Sequence, residues 1–308
     1  MPDQNLTKIT TLIDEIEKVV LGKRNVIQLT VTALLAGGHV LFEDIPGVGK
    51  TMMVKSLAKA IHSDFSRVQF TPDLLPSDIL GVSIFDAQTN QFEFRPGPIF
   101  TTILLADEIN RTTPRTQAAL LEAMSEGHVT IDNHTYTLNP HFFVLATQNP
   151  VSYAGTYPLP EAQLDRFLFR LHIGYPDFED ELRLLTGQRE QSLDLIQPVV
   201  TLQELAELKK QVDQVFVDEA VARYALALVE ASRNHPAIEL GVSPRGSIAF
   251  LKSAKAYALT ENRTFVTPGD LQTLLPAVFA HRLILHSGLS VEEVMHQLID
   301  QVPVPIRS

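Results

Sequence analysis

The 308-residue chain contains no cysteine. Disulfide frameworks, thiolate zinc sites and cysteine nucleophiles are therefore excluded, and a reducing compartment is the natural setting. Positive charge is also short: 25 Lys and Arg against 36 Asp and Glu give a formal net charge of −11, with a pI near 5.4. A protein whose main task is to coat a phosphate backbone needs clustered cations, so that class is disfavoured, although a local basic groove is compatible with the total. No apolar run approaches the roughly 20 residues of a membrane span. Met1 to Lys23 reads as an amphipathic helix containing Asp14, Glu15 and Glu17, not as a basic segment followed by an apolar core. These absences together give the expectation of a cytoplasmic protein. The 19 prolines and 15 glycines show no period, and no internal repeat or low-complexity tract is visible.

What remains is a globular composition, 45% hydrophobic with a mean hydropathy of +0.07, in a chain long enough for two cores. Five strand-length apolar runs occupy the first 175 residues: His39–Phe42, Arg67–Phe70, Thr102–Ala106, Phe142–Thr147 and Phe167–Ile173. Between them, Met53, Leu57, Ala60 and Ile61 recur at helical spacing, as do Ala118, Leu121 and Met124. The second of these helices has legible ends, with Thr113 as N-cap, Pro114 in the first helical position and Gly127 suited to a left-handed C-terminus. Strands alternating with helices predict a mostly parallel sheet sandwiched by helices. Two alternating segments, Val82–Arg95 and Val129–Leu138, read as inserted β-hairpins. After Asp177 the pattern turns helical, in Leu202–Asp213, Asp218–Ser232, Ser247–Leu259 and Val291–Gln301. The expected organisation is an α/β domain over residues 1–176 and a smaller all-α domain over 177–308.

The first strand runs into Glu43-Asp44-Ile45-Pro46-Gly47-Val48-Gly49-Lys50-Thr51 and then directly into a helix. A glycine-rich turn in that position lets backbone N–H groups converge on a phosphate at the positive helix terminus, with Lys50 reaching outer phosphates and the Thr51 hydroxyl available to Mg²⁺. The third strand ends in the adjacent carboxylates Asp107 and Glu108. In a parallel sheet the C-terminal strand ends line the ligand crevice, which puts Asp107 beside the phosphate loop as a metal partner and leaves Glu108 for an attacking water. The fourth strand ends in Gln148-Asn149-Pro150, where an Asn amide can donate to a γ-phosphate, although Asn-Pro is equally a turn dipeptide. Arg111, Arg166 and Arg245 are candidate guanidinium partners for that phosphate, each also able to form an ordinary surface ion pair. The ten histidines lack metal-ligand spacing, and His281 with His286 reads as a solvated or helix-packing pair.

Glu43–Thr51, the long run from Leu104 to Met124, Ala146–Pro150 and Leu159–Phe167 together resemble the MoxR family of AAA+ ATPases. The resemblance is dense from about Val20 to Ile173 and looser beyond, and it implies an AAA+ P-loop NTPase fold: a five-stranded parallel sheet with a helical lid. By that resemblance Pro46, Gly47, Val48, Gly49, Lys50, Thr51 and Met52 form the Walker A loop for ATP, and Thr51 with Asp107 holds Mg²⁺. Glu108 completes Walker B, Asn149 corresponds to sensor 1, Arg166 to an arginine finger acting on a neighbouring subunit, and Arg245 to sensor 2, in cis or in trans. Gly22 lies in the segment that packs on adenine, and the hairpins match the helix-2 insert and the pre-sensor-1 hairpin around a ring's pore. Asp44 stands where the general phosphate-loop pattern has glycine. The implied activity is ATP hydrolysis by a ring, expected to be hexameric, that remodels, assembles or activates a protein client, with von Willebrand A domain proteins as the associated partners. A nucleic-acid motor is the first rival; the hairpin spans Val82–Phe94 and Val129–Leu138 contain no Lys or Arg and count against it. A processive unfoldase is disfavoured because Leu74–Gly81 offers no aromatic. A chelatase motor subunit and a non-hydrolysing nucleotide switch are the remaining alternatives.

Overall fold

The computed structural model describes residues 4–44, 47, 49–149, 155–186, 192–286 and 288–305. In chain order the elements of the first half are α1 (Gln4–Glu17), α2 (Arg24–Ala36), β1 (Val40–Glu43), α3 (Lys50–Ala60), β2 (Phe65–Gln69), α4 (Pro76–Leu80), β3 (Gly81–Asp86), β4 (Gln91–Pro96), β5 (Ile103–Asp107) and α5 (Pro114–Glu126). They continue with β6 (His128–Ile131), β7 (His134–Thr137), β8 (Phe143–Gln148), α6 (Glu161–Leu164) and β9 (Phe169–Leu171). The remainder comprises α7 (Phe178–Leu185), α8 (Leu202–Gln214), α9 (Glu219–Asn234), β10 (Ile238–Leu240), α10 (Pro244–Thr260), α11 (Pro268–Phe279), β11 (Ile284–Leu285) and α12 (Val291–Gln301).

All five apolar runs form strands of one parallel sheet, in the order β2-β5-β8-β1-β9. Successive side chains point to opposite faces, so each strand feeds two cores. Val40, Phe42, Leu105, Phe143, Leu145 and Phe169 face a core shared with α1, α2, α3 and the C-terminal helices; Leu41, Leu104, Val144 and Ala146 face one shared with α4 and α5. The first core is continuous from Leu6 to Val302. Helix α2 packs on α8 and α10, and α1 reaches the same region through Lys8 Nζ, 2.6 Å from Glu204 Oε1.

Both predicted hairpins are present, as β3 with β4 and β6 with β7. Phe94 of the first stacks on Tyr136 of the second with ring centroids 4.0 Å apart, and Phe100 meets both rings. The first hairpin therefore lies against the second and exposes the rest of its apolar surface: Phe85 and Phe92 are 50% and 74% exposed. Helix α5 ends as its sequence directs, with Thr113 extended at the N-cap and Gly127 at φ 67°. The Thr113 hydroxyl, however, meets Thr116 Oγ1 at 3.3 Å and makes no backbone cap. No helix among the described residues is long and apolar enough to cross a membrane.

His39, immediately before β1, is buried where strand and helix ends meet: Val144 N–H donates to Nδ1 at 3.0 Å, and Nε2–H donates to the Met124 carbonyl at 3.2 Å. Burial lowers its pKa to about 4. A histidine in the unfolded chain takes up its proton near pH ~6.5, so between these values the unfolded state binds more protons and stability falls as pH is lowered. Replacing His39 with Gln is expected to flatten the loss of unfolding free energy between pH 7 and 4 by roughly 3 kcal/mol. Urea titrations at stepped pH check this; an unchanged slope would contradict it.

Candidate functional site

The C-terminal ends of the parallel strands meet the N-terminus of α3 in a cavity of about 290 Å³. Its lining joins residues far apart in sequence: Gly47, Gly49, Lys50, Thr51 and Met52 from the loop and helix start, and Asp107, Glu108 and Asn149 from the ends of β5 and β8. Gly47 and Gly49 have φ of 88° and 92°, a left-handed backbone that side chains bearing Cβ rarely adopt. A Cβ built on either would meet nothing within 4 Å, so the backbone angle and not crowding calls for glycine. Helix α3 then begins at Lys50 with no side-chain cap, leaving its first N–H groups directed toward the cavity. Lys50 Nζ donates to the Asp44 carbonyl at 2.9 Å, and its pKa is lowered by burial, partly offset by Asp44, Asp107 and Glu108.

One hydroxyl joins the Asp107 carboxylate to the Glu108 backbone. Thr147 Oγ1 donates to Asp107 Oδ1 at 2.7 Å and accepts from the Glu108 N–H at 2.8 Å. Asp107 Oδ2 accepts from Arg67 Nη2 at 2.7 Å. Glu108 adopts a left-handed backbone, φ 58° and ψ 49°, which costs a non-glycine residue about 1–2 kcal/mol, and it lines the same cavity as Asp107. Its Oε2 accepts from Arg111 Nη1 at 2.8 Å. A short 3-10 turn over Ile109–Arg111 follows, in which Asn110 Nδ2 donates to the Asn149 carbonyl at 3.2 Å. The fully buried Gln117 donates to the carbonyls of Ile109, Thr112 and Tyr157, and Thr116 Oγ1 to that of Leu74.

Asp44 explains its departure from glycine. Its carboxylate is buried and accepts the N–H groups of Ile173, at 2.5 Å, and Gly174, at 3.1 Å, which tethers the start of the loop to the chain leaving β9. One hydroxyl and one carboxylate, Thr51 and Asp107, are a donor set that suits Mg²⁺, an ion that keeps several waters and takes its remaining ligands from substrate phosphates. The residues fit that ion and a polyphosphate.

Not every expected residue is brought to the cavity. Pro46 and Val48 lie outside the described residues. Gly22, at φ 65°, approaches Asp180 so closely that a Cβ would sit 2.2 Å from its Oδ2, and Gly22 does not line the cavity. Arg166 and Arg245 also lie away from it, with no side-chain hydrogen bond or ion pair among the described residues. His281 is buried, not solvated, and is considered below with its neighbours; no cluster of three potential metal ligands occurs among the described residues. Four lining residues were passed over in the sequence: Arg67, Gln69, Thr147 and Gln148. The strand-end rule that singled out Asp107 applies equally to Gln69 and Thr147 and would have found them.

Two family descriptions match the chain: the ATPase family associated with various cellular activities (AAA) over residues 39–169, and an AAA lid domain over residues 230–301. The chain is 52% identical over 301 residues to the uncharacterized protein YeaC of Bacillus subtilis, covering 96% of this chain and 94% of that one. It is 36% identical to Chaperone MoxR1 of Mycobacterium tuberculosis, covering 92% and 78%, and 31% identical to Protein MoxR of Paracoccus denitrificans, covering 93% of each. A crystal structure of a candidate ATPase from Cytophaga hutchinsonii superposes with a TM-score of 0.91 at 38% identity, covering 98% of this chain and 96% of that one.

The hydroxyl bridge can be tested by itself. Thr147→Val keeps the shape but removes the partner of the part-buried Asp107 oxygen and of the Glu108 N–H, and is expected to destabilise the fold by about 1–2 kcal/mol, with Thr147→Ser near wild type. Denaturant unfolding measures both; a neutral Val variant would show that the bridge does not hold the site.

Proposed function

The chain belongs to the MoxR family of AAA+ ATPases, and from that membership we propose that it hydrolyses ATP in a Mg²⁺-dependent reaction and uses the cycle to remodel, assemble or activate a partner protein. The observation that carries this reading is the cavity itself, where a glycine-rich helix start faces Asp107 and Glu108 across the edge of the sheet. Residues 1–176 would act as the nucleotide-binding domain and 177–308 as its lid.

In the proposed reaction the Walker A loop, Pro46 to Met52, takes the triphosphate on backbone N–H groups, and Lys50 exchanges the Asp44 carbonyl for phosphate oxygen. Thr51 and Asp107 are the residues that would hold Mg²⁺, which would supply positive charge against the charge developed in transfer. Glu108 orients water and accepts its proton, with Oε1 available while Oε2 is on Arg111. Asn149, anchored through its carbonyl by Asn110, presents an amide to the γ-phosphate. Gly22 lies in the adenine segment. Arg166 serves the site of an adjacent subunit, which its distance from its own cavity favours, and Arg245 is a second guanidinium for the same chemistry in cis or trans.

A ring of like subunits, hexameric by family analogy, follows from a finger that works on a neighbour. A protein client is favoured over nucleic acid: the β3–β4 hairpin exposes Val82, Ile84, Phe85 and Phe92, and its one Lys or Arg is Arg95, at its base. That surface supplies aromatic groups that Leu74–Gly81 lacks, and it suits a polypeptide or a von Willebrand A domain partner in the cytoplasm. The name Chaperone MoxR1 of one relative agrees with this role.

Glu108→Gln is expected to bind ATP as the parent does while turnover falls by about 10²-fold or more, the usual worth of a general base. Nucleotide titration alongside phosphate release measures both. Hydrolysis at the normal rate would remove Glu108 from this role.

A further inference from the structure

The run Asp165-Arg166-Phe167, between α6 and β9, is gripped from the far end of the chain. Arg282, three residues beyond α11, has a side chain only 2% exposed, and all five of its N–H groups are used. Its Nε donates to Asp165 Oδ1 at 2.6 Å. Its Nη2 donates to the carbonyls of Asp165 and Phe167 at 3.3 and 2.7 Å, and its Nη1 to those of Leu168 and Val278 at 3.1 and 2.5 Å. Adjacent His281 places Nε2 2.9 Å from the Phe167 carbonyl and 2.8 Å from Arg282 Nη1.

The second carboxylate oxygen of Asp165 is also taken. Ser243 Oγ, the N-cap of α10, donates to Asp165 Oδ2 at 3.3 Å while accepting from the Gly246 N–H at 3.0 Å. A Cβ on Gly246 would lie 3.1 Å from Arg282 Cδ, so the first turn of α10, which carries Arg245, passes directly against the buried guanidinium. Asp165 thus joins three elements that are distant in sequence. The residue after it is the opposite case: Arg166 makes no side-chain hydrogen bond or ion pair among the described residues and stands away from its own cavity. Burying a charged pair is a poor way to gain stability, since apolar residues of the same volume serve as well; what such a pair secures is position.

We propose that Asp165 is a positioning residue which, held by Arg282 and Ser243, locks Arg166 and the first turn of α10 into one rigid unit, so that lid movement in one subunit shifts the arginine offered to the next. The inference rests on the reading of Arg166 as a residue acting on an adjacent subunit. Removing the charge of Asp165 leaves Arg166 present but misplaced, a geometric error that lowers kcat far more than it raises KM.

The test is complementation in mixed assemblies of the full chain. Asp165→Asn alone is expected to lose about 10²-fold in kcat for ATP with KM within about threefold of the parent. Mixed with excess Glu108→Gln, which lacks its own chemistry but keeps an intact finger segment, Asp165→Asn should recover turnover, as should Arg166→Ala. Arg282→Lys, which keeps charge but loses the guanidinium fork, should behave as Asp165→Asn does and carries the same test if that variant does not fold, as judged by thermal melting. Three results would overturn the proposal. One is turnover of Asp165→Asn at the parent rate; another is Asp165→Asn staying inactive with Glu108→Gln while Arg166→Ala is rescued. If Arg166→Ala is itself not rescued, the underlying reading of a shared site falls and takes the proposal with it.

Discussion

The register between β5 and β8 is the constraint on which the site depends. Ala106 pairs with Ala146, so the next residues along, Asp107 and Thr147, emerge side by side at the sheet edge. The Thr147 hydroxyl then binds the Asp107 carboxylate and the Glu108 N–H together. That bond holds the left-handed backbone at Glu108, where the chain leaves the strand with both carboxylates lining one cavity. A slip of one residue would invert every side chain of a strand buried on both faces, so core packing and site geometry are specified together.

Much of what makes the sequence distinctive is scaffolding for that edge. Within the long run after Glu108, Asn110 anchors the end of β8, Gln117 gathers three carbonyls and Thr116 fixes the Leu74 segment that leads to the first hairpin. Asp44 does the same on the other side of the cavity by tying the loop to the exit of β9. Buried polar side chains of this kind are retained because each satisfies a specific backbone group, and each placement is transmitted to the residues that face the cavity.

The strands, the hairpins and the ends of α5 were legible because they rest on local pattern: period-two alternation, helical spacing, and a Pro and Gly at opposite helix ends. Helix α11 was not: Leu271, Leu274, Leu275 and Val278 do stand at helical spacing, but Pro276, a residue that ordinarily ends or kinks a helix, lies inside it. The strand order and the grip of Arg282 on Asp165 were hidden for a different reason. They pair residues 38 to 129 positions apart, and one sequence carries no signal for such a pairing. The loop glycines, Lys50, Thr51, Asp107 and Glu108 could be chosen in advance because phosphate and metal chemistry demands those residue types; Thr147 and Gln69 were within reach of the strand-end rule, but their residue types carry no such demand.

The larger hydrophobic core joins the protein's two ends behind the cavity. Helices α1 and α2 and the C-terminal helices share a core with the loop-bearing face of the sheet, and Asp165 connects the lid to the segment holding Arg166. The central claim is that this cavity, centred on Lys50, receives Mg²⁺·ATP. Calorimetric titration of the parent and a Lys50→Ala variant with ATP in the presence and absence of Mg²⁺ tests it most directly. Saturable, Mg²⁺-enhanced binding that weakens at least about tenfold in the variant, a loss of roughly 1.4 kcal/mol, is the expected result; equal affinity in both proteins would contradict the account.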